Sequence, residues 1–256
     1  MVKPATIRTV LTIVASRCWP TKQLDVSNAF LHGHLQEHVL YQQPTGFVDA
    51  ARLDAVCLLD KSLYDLQQVP RAWFTRFAEF FTKLGFRATR SDSSLFVPHR
   101  GTDTAYLLLY VDDIVLTGSN SALLREIVDR LRAEFAVRDM GALSFFLGID
   151  VKRTRDSFYL TQDRYAEDIL EHARMMSCKP VATPIDAKGK LNADRPAVDN
   201  AHSYRSLAGA LQYLTMARPD IAFAVQQVCL HMHDLRMPHL ALLKRILRYM
   251  GISFSH

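Results

Sequence analysis

The stretch that decides the fold is Ala105-Tyr106-Leu107-Leu108-Leu109-Tyr110-Val111-Asp112-Asp113-Ile114-Val115-Leu116-Thr117. Two apolar runs rich in β-favouring residues flank an adjacent pair of aspartates, which predicts a β-hairpin with Asp112 and Asp113 at its bend. Two carboxylates between buried strands are unfavourable unless a positive charge sits beside them. A hard divalent cation such as Mg2+ takes oxygen ligands and tolerates shared carboxylates. An ordinary acidic turn is the competing reading, because Asp is favoured in turns.

Upstream, Gln23-Leu24-Asp25-Val26 reads as a short strand running into a turn. If its end meets the hairpin in one sheet, three carboxylates converge. They could then hold two metal ions about 3.5–4 Å apart, the arrangement that serves in-line phosphoryl transfer. Helices frame these strands. Residues 4–15 carry Pro4 in a first turn and Ile7, Val10, Leu11 and Val14 at helical spacing. After Pro70, an apolar face of Trp73, Phe74, Phe77, Phe80, Phe81 and Leu84 ends at Gly85, a C-terminal cap. Ser119 or Asn120 can cap a helix with Leu124, Ile127, Val128, Leu131 and Phe135 inward. A second hairpin is predicted over 146–151 and 158–161, then a helix from Asp163. Residues 179–200 hold three prolines and read as a linker. Three helical segments follow, over 204–216, 220–232 and from Pro238 onward. The fold class is α+β: an antiparallel sheet with packed helices, then a mostly helical C-terminal part.

The 256 residues are 49% hydrophobic and 22% charged, which excludes a disordered chain. Cys18, Cys57, Cys178 and Cys229 lie far apart with no C-x-x-C spacing, which argues against a disulfide scaffold or thiolate zinc site and suits a reducing compartment. No apolar run is long enough for a membrane span, so no membrane partner is expected. Residues 201–256 carry six basic and two acidic side chains within a net charge of +5, which suits a polyanion or a solvated face.

Tyr110-Val111-Asp112-Asp113 resembles the catalytic hairpin of reverse transcriptases. Further blocks resemble the reverse transcriptase of copia-type LTR retrotransposon polyproteins. They are Gln23 to Gly33, Ser62-Leu63-Tyr64, Pro70-Arg71-Ala72-Trp73, Phe145 to Ile149, Arg218-Pro219-Asp220-Ile221 and Lys244 to Tyr249, all in the family's order. The resemblance implies RNA-directed DNA polymerisation by two-metal nucleotidyl transfer to a primer 3′-hydroxyl. Asp25, Asp112 and Asp113 match the metal-binding, catalytic triad for two Mg2+ ions, with Mn2+ as a possible substitute. Phe30 matches the aromatic beneath the incoming sugar, where a flat ring leaves no room for a ribose 2′-hydroxyl. Tyr64, Asp65 and Gln68 fall in the nucleotide-binding loop. Tyr110, Arg71 and the turn Phe146-Leu147-Gly148 match primer and template contacts. Implied partners are an RNA or DNA template with primer and deoxynucleoside triphosphates. The implied location is a cytoplasmic virus-like particle for the intact family.

The resemblance implies a polymerase palm over 1–152 and a hairpin with a thumb-like helix over 153–178. A linker over 179–200 and a connection-like helical region over 201–256 follow. The fingers that precede the palm and a ribonuclease H domain are expected to be missing. Asp65 stands where the family has Gly, and Gln67 where it has Lys. The first adds bulk and negative charge near a triphosphate and the second removes a cation, so weak nucleotide binding and poor activity are expected. A catalytically inactive nucleic-acid-binding remnant and a two-metal nuclease remain as alternatives. Arg138 stands where the family tends to carry Lys, and can offer only electrostatic help because Arg does not readily give up its proton. His231, His233 and His239 lack a convincing set of further ligands for tetrahedral metal. Trp73 reads as core. Lys244, Arg245 and Arg248 read either as a phosphate track or as a solvated face.

Overall fold

The computed structural model of the chain describes residues 2–64, 66–98, 103–154, 157–186, 196, 198 and 200–251. In chain order the elements are α1 (Pro4–Arg17), β1 (Thr21–Val26), β2 (His34–Gln42), β3 (Val56–Lys61), α2 (Val69–Lys83), β4 (Phe86–Ala88), β5 (Leu95–Pro98), β6 (Ala105–Tyr110) and β7 (Asp113–Gly118). Then come α3 (Ser121–Glu134), β8 (Val137–Gly141), β9 (Phe145–Phe146), β10 (Ile149–Arg153), β11 (Phe158–Thr161), α4 (Asp163–His172), α5 (Ala201–Leu214), α6 (Ala222–Leu230) and α7 (Met237–Met250). The chain divides into two compact units, Met1–Ser144 with Arg153–Phe158, and Phe145–Lys152 with Tyr159–His256.

The first unit is organised by a six-stranded sheet in the order β4-β5-β6-β7-β1-β8, in which every recorded strand pair is antiparallel. The predicted hairpin is β6–β7, with Tyr110 opposite Asp113 across a two-residue turn. Side chains alternate across a strand, so Leu24, Val26, Leu107, Leu109, Ile114 and Leu116 share one face. They form a continuous core with Trp73, Phe77 and Phe81 of α2 and Leu124, Ile127, Val128 and Leu131 of α3. The other face carries Gln23 and Asp25 of β1 and Asp113 and Val115 of β7. Helix α2 stops where Gly85 takes a φ of 86°, a conformation that only glycine adopts without strain. Helix α3 starts where the Asn120 side chain accepts the Ala122 N–H at 2.8 Å.

The second unit has its own core, built from Ala166, Ile169 and Leu170 of α4 and the inner faces of α5, α6 and α7. The expected hairpin here is a three-stranded sheet, β11-β10-β9, instead. Leu147 and Gly148 both hold positive φ, 53° and 69°, so the predicted single strand folds back as a two-residue turn between Phe146 and Ile149. Helix α5 begins earlier than the apolar spacing suggests, because Asn200 accepts the Ser203 N–H at 2.9 Å. Within the expected linker, residues 179–186 hold no helix or strand, and most of 187–199 lies outside the described residues.

The first turn of helix α7 holds a buried histidine. His239 is buried, and its Nδ1 accepts the Arg236 backbone N–H at 3.1 Å. The His231 ring stacks on it at 4.0 Å, nearly parallel. Burial first, then the neighbouring His231, holds the His239 pKa below its ordinary 6.5, with Arg236 acting the same way and Asp234 opposing. The unfolded chain therefore takes up a proton at a higher pH than the folded one. This site's stability is complete above about pH 6.5 and is lost as pH falls through that value toward the folded pKa. Urea denaturation at pH 7.5 and 5.5 should show a larger loss for the native chain than for His239→Gln, whose amide oxygen still accepts the N–H.

Candidate active site

The strand ends bring the aspartates together. Asp25, next to last in β1, lies opposite Asp113, the first residue of β7. It also lies opposite Arg138 of β8 on its other side. Directly paired residues share a face, so one row across four strands reads Tyr110, Asp113, Asp25, Arg138. Asp112 sits in the turn, exposed, and its carbonyl accepts the Val26 N–H at 2.9 Å. Asp25 and Asp113 are half-buried.

This crowding has an electrostatic signature. Burial pushes the Asp113 carboxyl above the usual carboxylate range, and the negative charges of Asp112 and Asp25 push it further. Among the described residues, no group of three or more His, Cys, Asp or Glu side chains is placed to hold a metal ion as it stands. The donor chemistry still fits a hard divalent cation: all three are carboxylates, and their mutual repulsion is what such an ion relieves.

The turn itself is strained. Val111 holds a φ of 56°, a genuine outlier for a β-branched residue. Two hydrogen bonds hold the turn in place. The Trp73 indole N–H donates to the Val111 carbonyl at 2.6 Å, and Val26 holds Asp112 as described. Trp73 is only 2% exposed and is boxed in by edge-on contacts with Phe77 and Phe135. The sequence reading of Trp73 as core is right but incomplete: a buried indole N–H needs an acceptor, and here the acceptor is the Val111 carbonyl, a partner 38 residues away that helical spacing does not reveal.

Phe30 lies in a short 3₁₀ turn, Ala29–His32, directly after β1. Tyr64 is exposed and meets the Phe30 ring edge-on at 5.3 Å. An open cleft of about 380 Å³ is lined by Phe30, Arg71, Trp73, Tyr110 and Val111. Arg71 is exposed in the first turn of α2, and Gln68 is the residue that precedes that helix. Asp65 lies outside the described residues. Phe146, Leu147 and Gly148 belong to the second unit, where the Tyr213 hydroxyl donates to the Leu147 carbonyl.

Ser62 supports the 3₁₀ turn from beneath. Fully buried, it donates its hydroxyl to the Phe30 carbonyl, with the Gly33 carbonyl 3.3 Å away. Its backbone N–H donates to Gly33 as well, at 3.0 Å. A Cβ on Gly33 would meet Ser62 Oγ at 2.8 Å and the Trp73 backbone nitrogen at 3.0 Å. Gly33→Ala should therefore destabilise the fold by about 1–3 kcal/mol, read as a lower denaturation midpoint with an unchanged m-value.

A protein-family model described as reverse transcriptase (RNA-dependent DNA polymerase) matches residues 1–187. The retrovirus-related Pol polyprotein from transposon RE1 of Arabidopsis thaliana is 42% identical over 257 residues, covering 100% of this chain and 18% of that protein. The corresponding polyprotein from transposon TNT 1-94 of Nicotiana tabacum is 36% identical over 261 residues, covering 98% of this chain and 20% of that protein. The chain thus spans about a fifth of the length of these relatives.

Proposed function

Because the chain belongs to the reverse transcriptase (RNA-dependent DNA polymerase) family, we propose that it acts as the RNA-directed DNA polymerase region of a copia-type retrotransposon Pol polyprotein. The observation that carries this reading is the opposition of Asp25 to Asp113 beside Asp112. In this reading residues 1–152 are the palm and 153–178 a thumb-like hairpin and helix. Residues 179–200 are a linker and 201–256 a connection-like region.

Asp25, Asp112 and Asp113 would hold two Mg2+ ions. Those ions, when bound, lower the pKa of the primer hydroxyl and offset charge on the phosphates. The primer 3′-hydroxyl gives its proton to solvent water and its oxygen bonds to the α-phosphorus; the bond from that phosphorus to the oxygen bridging to the β-phosphate breaks and pyrophosphate leaves. Phe30 lies under the deoxyribose and excludes a 2′-hydroxyl by bulk, and Tyr64 fixes the edge of that ring. Arg71 offers a cation to phosphate at the mouth of the cleft. Tyr110 packs at the primer terminus, and the turn at Phe146-Leu147-Gly148 contacts the primer strand. The burial of Asp113 beside the charges of Asp112 and Asp25 supports a site that requires cations. Among the described residues no helix is long and apolar enough to cross a membrane.

Activity is weak in this reading, because the family's nucleotide-binding loop carries Asp65 in place of Gly and Gln67 in place of Lys, one negative charge more and one cation fewer. A unit charge near a triphosphate is worth at least about 1 kcal/mol at 4 Å even at the dielectric of water. Asp65→Gly with Gln67→Lys should therefore lower the KM for deoxynucleotides by tenfold or more in primer extension on RNA with Mg2+. Template binding that yields no extension in either chain would favour the non-catalytic reading.

A further inference from the structure

We propose that the α6–α7 cleft of the second unit is a binding site for single-stranded nucleic acid, separate from the aspartate site. The cleft, about 420 Å³, is walled by Phe223 and Gln227 of α6, by one face of α7 including Ala241, Lys244 and Arg248, and by Ile185. Its chemistry has three parts.

Phe223 is 62% exposed, although a phenyl ring in water gains nothing by standing there. An unpaired base has a free π-face to stack on it, whereas the bases of a duplex are already stacked on one another. Gln227 follows one helical turn later and carries both a donor and an acceptor, the pair needed at a base edge. On the opposite wall Lys244 is exposed and has no ion-pair partner among the described residues. Arg248, one further turn along, donates its Nε to the Lys179 carbonyl at 2.7 Å and makes no ion pair among the described residues. The two cations are separated by about 6 Å along the helix axis, the scale of one step between phosphates of an extended strand. Asp186, the one carboxylate lining the cleft among the described residues, is paired with Arg245 at 3.6 Å, and Arg245 also clasps Thr183 through two hydrogen bonds. The described lining therefore carries net positive charge, which complements a phosphate chain and opposes an acidic helix.

The site deepens the polymerase reading, on which it rests for the kind of partner, but it needs none of the three aspartates. The test is photocrosslinking of the full chain to a 5-iododeoxyuridine-substituted oligodeoxythymidylate, with peptide mapping and fluorescence anisotropy across a salt series. Crosslinks should map to the peptide containing Phe223. Phe223→Ala should weaken binding about tenfold. Lys244→Glu should weaken it and reduce the log–log salt slope by about 0.7, one phosphate contact on a single strand. Both side chains are exposed, so both variants should keep the native melting temperature. Crosslinks confined to residues 1–144, or affinity unmoved by both variants, would overturn the inference; primer extension retained in that case would leave the polymerase reading intact. Crosslinks at Phe223 in a chain that extends no primer would keep the inference and count against that reading.

Discussion

Primer extension by Asp113→Asn is expected to fall about a thousandfold or more, while the folded protein becomes more stable. The loss follows from removing one of three carboxylates that would gather cations at the reacting phosphate; about 4 kcal/mol of transition-state stabilisation corresponds to that factor. The gain in stability follows from the same crowding. Burial raises the Asp113 pKa above 3.8, and Asp112 and Asp25 raise it further. A carboxyl whose folded pKa is raised favours the fold when protonated, so its contribution is greatest below pH 3.8 and is lost as pH rises through the folded value. The neutral, isosteric amide escapes that loss. In metal-free buffer the stability gap between Asp113→Asn and the native chain should open as pH rises from below 3.8 to neutrality. Denaturation curves at pH 3.5 and 7 check the sign, and radiolabelled primer extension checks the activity.

Trp73 should divide stability from positioning. Trp73→Ala removes a buried ring that touches Phe77 and Phe135 and should cost about 3–5 kcal/mol. Trp73→Phe keeps most of that packing and removes only the N–H that holds the Val111 carbonyl. An unmade hydrogen bond of this kind costs about 1–3 kcal/mol, so the variant should remain folded at 25 °C. The strained Val111 then loses a restraint, and the turn carrying Asp112 relaxes. Extension should drop about tenfold or more in kcat with little change in the nucleotide KM. A melting-temperature loss with unchanged kcat would reduce Trp73 to a packing residue.

Much of the architecture was legible because its signals are local. Apolar runs broken at Asp112-Asp113 gave away β6 and β7, and Gly85 and Asn120 marked helix ends through conformations or side-chain acceptors that few residues supply. The β2–β3 ribbon was not legible. Val56, Leu58 and Leu40 are more than half exposed, so the usual equation of apolar with buried fails there, and β2 is largely polar. Strand β8, Val137-Arg138-Asp139-Met140-Gly141, has no apolar alternation and is held by pairing with β1. The approach of Asp25 to Asp113 could be inferred only as a condition, since cross-strand register is a long-range property. Ser62 and the Trp73 indole were invisible as supports for the same reason. Arg245 and Arg248 read as surface cations, yet they clasp Thr183 and Lys179, contacts that no helical spacing reveals.

The polymerase reading requires that side chains 25, 112 and 113 jointly bind divalent cations. Electron paramagnetic resonance of Mn2+ titrated into the chain with template–primer and deoxynucleotide tests it most directly. Saturable binding that weakens in Asp25→Asn, Asp112→Asn and Asp113→Asn alike is the predicted result. Mn2+ binding to the native chain no stronger than to the triple variant would contradict it.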